Sequence, residues 1–254
     1  MRPRRRPATL IECGGYQRSC PVVLGAATTD DLGIARMNGV IGDILPLAIG
    51  VAISPIPIIA AILMLFSAHA STTSSGFLVG WIAGIVVAVA LFTEPAGSIG
   101  GDGPQAAWVG WTKILLGVLL VVVGIRQWRG RHEQLGPPKW MSAIDRMGFG
   151  QALGLGFALS AINPKNLLIA VAAGLAIGSA GLPSGSAIVA IAIFTVIAGC
   201  TVAVPVVAHA VAENRMRKPL DEAKAWLQTN NATVMAVLIL VIGTMLIGKG
   251  LGSL

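Results

Sequence analysis

Hydrophobic positions in this chain gather into six long runs, over residues 44–66, 77–93, 108–125, 149–177, 187–211 and 232–248. Each run is near or above the ~17 residues that carry a helix across a bilayer. Runs that are apolar all round predict membrane spans rather than surface helices of a soluble domain. Two of the six are interrupted. The fourth contains Ser160, Ala161, Ile162, Asn163, Pro164, Lys165 and Asn166, and the first contains Ser54, Pro55, Ile56 and Pro57. Proline has no N–H and its ring crowds the preceding turn, so each helix has to break there and restart with proline in its first turn.

The order of breaks and runs points to duplication. Aligning Gly50 with Gly156 places Ser54 on Ser160, and each half then reads as a broken run, a short loop of small residues, a second run, a polar stretch and a third run. An odd number of spans per half makes the halves enter the membrane from opposite sides, the inverted repeat of many secondary transporters. The expected fold class is therefore all-α integral membrane: six transmembrane helices as two inverted three-helix repeats, with helices one and four broken. Repeat one covers about residues 43–127 and repeat two about 148–251, joined by a basic loop at about 126–148, all within a membrane domain at 37–254.

Composition agrees, with 11% charged residues against about 25% in an average soluble domain. The net charge of +7 is unevenly placed. Arg126, Arg129, Arg131, Lys139 and Arg146 lie between runs three and four, and Arg215, Arg217, Lys218 and Lys224 between runs five and six. The loop after run two holds Glu94 and Asp102 without Lys or Arg. The positive-inside rule puts both basic loops in the cytoplasm, and so both chain ends outside a cytoplasmic (inner) membrane. Anionic lipid headgroups account for the charge, and no nucleic acid is expected as a partner. Residues 1–36 break the pattern, because Arg2, Arg4, Arg5, Arg6, Arg18 and Arg36 would then lie on the wrong side. Glu12 and Arg18 interrupt the only apolar stretch there, so neither a signal peptide nor a seventh span fits. The expectation is translation from Met37, with a disordered basic tail as the alternative. An N-terminal sequence containing Arg4 or Cys13 would reject the internal start.

Lys165 carries the candidate chemistry. It stands twelve residues before Ile177, roughly 18 Å along a helix, beyond the reach of a snorkelling lysine. Ionisable groups at such depth face a bundle interior or a watery cavity and mark pathways. The N–H groups freed by the break, the positive end of the restarting helix and the ammonium all favour an anion. The expected substrate-binding residues are Ser54, Pro55, Pro57, Ser160, Asn163, Pro164, Lys165 and Asn166.

The remaining polar and small residues read as structural. Lys113 and Lys249 lie near run ends and are expected to reach headgroups, Glu94 to be an exposed interfacial carboxylate, and Cys200 to be a small apolar filler. Thr195 and Thr201 are expected to bond carbonyls of their own preceding turn. Gly76, Gly80 and Gly84, together with Ala83, Val87 and Leu91, suggest a close-packing face, and Gly243 and Gly248 further packing positions. Trp140, Met141 and Ile144 predict a short headgroup-layer helix. Pro219 is expected to open another, with Leu220, Ala223, Trp226 and Leu227 on one face. His69, His132 and His209 have no metal-ligand spacing, and Cys13, Cys20 and Cys200 give no intramembrane thiol pair. No cofactor or metal is expected. No phosphate-cradling glycine loop or catalytic triad is present, so an enzyme is not expected either.

The proline pair of run one, Pro-Lys-Trp-Met at 138–141 followed by Ile144-Asp145, the string from Gly154 to Leu168, and Ala223 to Ala232 before run six together resemble the glycolipid-addressing proteins of actinobacterial envelopes. That group is named for sulfolipid and peptidoglycolipid addressing and is placed in the lysine-exporter superfamily. The resemblance covers about residues 42–250. It implies export of an anionic envelope glycolipid, or help in moving it across the inner membrane. A small amino-acid-like solute exported through the same site, or a non-transporting scaffold subunit, are the alternatives. The partners implied are an anionic glycolipid or small anionic solute and membrane lipids, with an envelope-lipid export machinery and a homo-oligomer as further candidates.

Overall fold

A computed structural model describes residues 29–99, 104–130, 144 and 146–252. The chain forms α1 (Thr29–Ala52), α2 (Pro55–Leu65), α3 (Ala70–Ile99), α4 (Pro104–Arg129), α5 (Phe149–Phe157), a π-helical turn (Ala158–Ile162), α6 (Pro164–Gly178) and α7 (Ser184–Leu251). Among the described residues there is no strand. Five stretches are long and apolar enough to cross a membrane, and a sixth is added if α5 and α6, bent by 62° at Asn163, count as one span. This is a multi-pass membrane protein. Trp140 and Met141, expected in a headgroup-layer helix, lie outside the described residues; Ile144 of the same stretch is buried.

Pro219 is the second residue of the span Lys218–Leu251, although α7 is helical from Ser184 to Leu251 without a gap. This helix nevertheless doubles back. Thr201 bonds the carbonyl of Ala52, while Ile242 packs on Gly50, in the same turn of α1. A straight helix would hold Thr201 and Ile242 about 60 Å apart. Val206 and Leu220 share a buried cluster with Ile62 and Leu65, which places the reversal between them. The two arms are the spans Ser184–Val211 and Lys218–Leu251. Leu220 and Leu227 turn inward on the second arm, whereas Ala223 and Trp226 are exposed, so the expected apolar face is divided.

Glycines set the helix spacing. Lipid tails are as apolar as leucine, so helices in a bilayer associate through close packing rather than hydrophobic exclusion, and small residues let backbones meet. Gly76, Gly80 and Gly84 of α3 form such a seam against α5 and the π turn. A Cβ on Gly76 would stand 2.6 Å from the Phe149 carbonyl oxygen, one on Gly80 would fall on the Leu153 carbonyl, and one on Gly84 on the Ser160 hydroxyl. A second seam joins α4 to the second arm of α7. There a Cβ on Gly117 would lie 2.8 Å from the Gly243 oxygen and one on Gly250 2.9 Å from the Gly110 oxygen.

Four expectations need correction. Val87 and Leu91 are exposed, so the Ala83, Val87, Leu91 stripe faces outward. Gly248 has open space where a Cβ would stand and packs on nothing. Lys249 does not reach outward alone, because its ammonium pairs with Asp43 at 2.5 Å, with Lys113 within electrostatic reach of both. Cys200 is exposed rather than a core filler. A long-range partner decides the case of Lys249, and run position alone does not reveal it.

The α3–α5 seam yields a direct test. Gly80→Leu would drive a side chain into the Leu153 backbone and is expected to destabilise the protein by about 1–3 kcal/mol or more. Gly248→Ala meets nothing and is expected to leave stability unchanged or slightly raised, since alanine favours helix over glycine. Thermal unfolding of the purified protein in detergent compares the two.

Candidate functional site: two helix breaks that meet

The first break follows from Pro55. With no N–H on that residue, Ser54 donates to Val51 at 3.1 Å in a tightened turn. This strands the carbonyls of Gly50 and Ala52, whose regular partners four residues on would have been the N–H groups of Ser54 and Ile56. Both are satisfied from elsewhere in the bundle. The Lys165 ammonium donates to the Gly50 oxygen at 2.8 Å, and the Thr201 hydroxyl donates to the Ala52 oxygen at 2.5 Å. Thr201 thus serves another helix rather than its own preceding turn, unlike Thr195, which donates to Ile191 at 2.8 Å. Ser54 caps α2 in extended conformation, and its hydroxyl is buried without a hydrogen-bond partner.

The second break is built differently but answers the same constraint. Residues 158–162 widen into a π turn, and the Asn163 N–H reaches back to Ala158 at 3.1 Å. The Leu159 carbonyl is then stranded, because the next N–H along would belong to Pro164. The Asn166 side-chain amide donates to it at 2.8 Å. Asn163 caps α6, its side-chain oxygen accepting from the Lys165 N–H at 3.1 Å, and Pro164 occupies the first turn. Ser160 is buried, donating to Phe157 at 3.0 Å where it lies against Gly84.

Lys165 and Asn166 are buried on α6, as are Ser54, Pro55 and Pro57 on α2, whereas Pro164 is exposed and Asn163 partly so. The breaks meet through Lys165 and Gly50. A Cβ on Gly50 would meet the tip of the Ile242 side chain and stand 3.5 Å from Ile169, so the second arm of α7 packs close on α1 here, with α6 in ordinary contact. Gly50 and Thr201 are site residues that pattern reading does not select. A threonine inside an apolar run is a signal of a hydroxyl with a backbone task, but not of which backbone.

The ammonium of Lys165 has no carboxylate in ion-pair contact among the described residues. It sits at the C-terminal end of α1, where stranded carbonyls and the helix dipole favour a cation. A lysine has three donors, and one goes to Gly50. The Ser54 hydroxyl and the Asn166 side-chain oxygen are buried and unpartnered. Among the described residues the centre therefore combines a buried amine without a carboxylate partner and two unpartnered polar atoms from the adjoining helix ends, in an apolar bundle. Such a place can accept a compact anion.

Of two cavities in the bundle, one lies at the far end of α6 from Lys165 and the other beside the end of α1. The first, of about 310 Å³, is lined by Thr93 and Glu94 of α3, Ile177 and Gly178 of α6, and Ser184 of α7. The other, of about 390 Å³, is an apolar groove between α2 and the two arms of α7, with Ile58, Ile62, Cys200, Thr201 and Leu220 in its walls. No cluster with metal-ligand character occurs among the described residues.

Thr201→Val keeps the shape of the side chain and removes its donor. Leaving the Ala52 carbonyl unsatisfied is expected to cost about 1–3 kcal/mol, while Thr201→Ser should retain most of the stability. Parallel melts of the two variants decide whether the hydroxyl or the volume matters.

The Sap, sulfolipid-1-addressing protein, family model matches residues 44–252. No curated protein and no solved structure matches the chain. With both breaks, Gly50, Lys165 and Thr201 inside that match, the chain belongs to the sulfolipid-1-addressing protein (Sap) family.

Proposed function

We propose that this protein is a non-enzymatic carrier that moves an anionic envelope glycolipid across the cytoplasmic membrane, with the headgroup passing between the two helix breaks. The observation that carries the reading is the buried ammonium of Lys165, which has no carboxylate in ion-pair contact among the described residues and donates to the Gly50 carbonyl across the interface between α1 and α6. The family's description names a sulfolipid, a lipid with an anionic headgroup, which supports a site of this sign. On this reading the halves are inverted repeats, each a broken helix followed by two spans, and the protein belongs with the wider lysine exporters. Midplane binding sites made from discontinuous helices are the recurrent solution in such folds.

The headgroup anion would take the Lys165 ammonium from Gly50. That exchange frees the α1 carbonyl and weakens the join between α1 and α6, so that binding and loosening are one event. Energetically the exchange gives up one hydrogen bond to a charged donor, worth about 1.5–3 kcal/mol, and leaves the Gly50 carbonyl without that donor, so contacts to a full negative charge have to offset both. A ligand can shift a conformational equilibrium only by its difference in affinity for the two states, and this swap supplies such a difference.

Lys165→Met tests the site. Removing the ammonium leaves the Gly50 carbonyl unpaired but also relieves the desolvation of a buried charge, several kcal/mol in the opposite direction. The variant is expected to fold with a melting point near wild type. In a strain lacking the gene it should fail to restore the glycolipid to the cell surface, with internal build-up at the level of the deletion, while Lys165→Arg restores part of it. Restoration by Lys165→Met equal to wild type would reject the anion site, and raised cytosolic amino acids without a lipid change would point to a small-solute exporter.

A further inference from the structure

We propose that the apolar groove between α2 and the arms of α7 receives the acyl chain of the lipid whose headgroup lies at Lys165, so that the cargo never leaves the bilayer. The inference rests on the headgroup site proposed above and adds where the chain goes. Its basis is continuity. Thr201 is at once a wall of the groove and the residue bonded to the Ala52 carbonyl, two residues along α1 from the carbonyl that holds Lys165. The groove therefore starts where the break is.

Its chemistry suits a hydrocarbon chain. Ile58, Ile62, Val204 and Leu220 present only carbon to the space, and the Thr201 hydroxyl is already committed to Ala52. The volume of about 390 Å³ lies within the range of built ligand clefts, roughly 300–1,000 Å³. Cys200, Val204 and Ala223 on its rim are exposed, so the groove is open sideways rather than sealed. A chain seated at the break can leave laterally through that opening.

Selection among lipids falls to the inner end. On the second arm Lys224 pairs with Asp221 at 3.0 Å and lies 5.2 Å from the Phe66 ring, and Glu222 offsets the exposed Lys218, so this rim is balanced in charge. An anionic headgroup is preferred over a zwitterionic one through Lys165, where the groove meets the end of α1.

Cys200 supplies the probe. In the full chain with Cys13 and Cys20 replaced by serine it is the remaining thiol. The rate of its alkylation by N-ethylmaleimide is measured in nanodiscs of phosphatidylcholine alone and of phosphatidylcholine mixed with phosphatidylglycerol. Occupancy by the anionic lipid is expected to slow alkylation about tenfold once that lipid is well above its half-saturating fraction. Lys165→Met should return the mixed-lipid rate to that of phosphatidylcholine, and glycerol 3-phosphate, a headgroup without a chain, should give no protection. Equal rates in the two wild-type discs would overturn the proposal without need of any variant, since the groove would then hold bulk lipid only. Protection by glycerol 3-phosphate, or protection that survives Lys165→Met, would overturn it as well. Failure here is separable from failure of the carrier reading: export lost in Lys165→Met but intact in Val204→Trp, which fills the groove, sinks the chain site alone.

Discussion

A backbone carbonyl inside a bilayer has no water to turn to, so every one that a proline strands must find a donor in the protein or cost several kcal/mol. This chain breaks two helices and strands the carbonyls of Gly50, Ala52 and Leu159. Three polar side chains, Lys165, Thr201 and Asn166, answer them. Two of the three come from a different helix, so the repair of α1 is also what fastens α6 and α7 to it. The breaks are consequently joints of the tertiary structure and not weak points in single spans.

That arrangement needs close approach, and glycine supplies it. Gly50 admits Ile242 and Ile169 on its bare side, and the α3 glycines admit the backbone of α5 and the Ser160 hydroxyl. An extra methyl at Gly50 meets only the tip of the Ile242 side chain and leaves Ile169 of α6 in ordinary contact, whereas one at Gly76 or Gly80 meets the backbone of α5, so the α3 seam is the stricter of the two.

Much of this was legible in the residues themselves. Proline acts through local geometry, so the helix starts at Pro55 and Pro164 could be read without tertiary knowledge. The Gly76, Gly80, Gly84 seam was legible for the same reason. The stripe of Ala83, Val87 and Leu91 looked equally good and faces outward, because lipid and protein interior are alike apolar and hydrophobicity cannot tell the two sides of a span apart. Pairings such as Lys249 with Asp43 and Thr201 with Ala52 join distant parts of the chain, and no run length or period encodes them. Lys165 was identifiable as a buried cation, but not its direction. Helical side chains lean toward the N-terminus, so a lysine in the first turn of α6 reaches back past its own helix start and onto the end of α1.

This direction changes the electrostatics of the centre. An ammonium folded over its own helix N-terminus would add its charge to a positive dipole end, and the two would repel. Laid on the C-terminal end of α1, the same ammonium is attracted and rests where a bound cation would otherwise sit. The favourable resting contact is also a limit on any anion that binds: it has to outcompete a neutral carbonyl, which a full negative charge can do and a zwitterion or neutral sugar cannot do as well. Lysine suits the task better than arginine, because a compact ammonium on a flexible stem can turn from one acceptor to another, whereas a planar guanidinium engages its partners as a fixed fork. Selectivity for anionic headgroups would on this reading come less from the strength of the site than from the occupant that must be displaced.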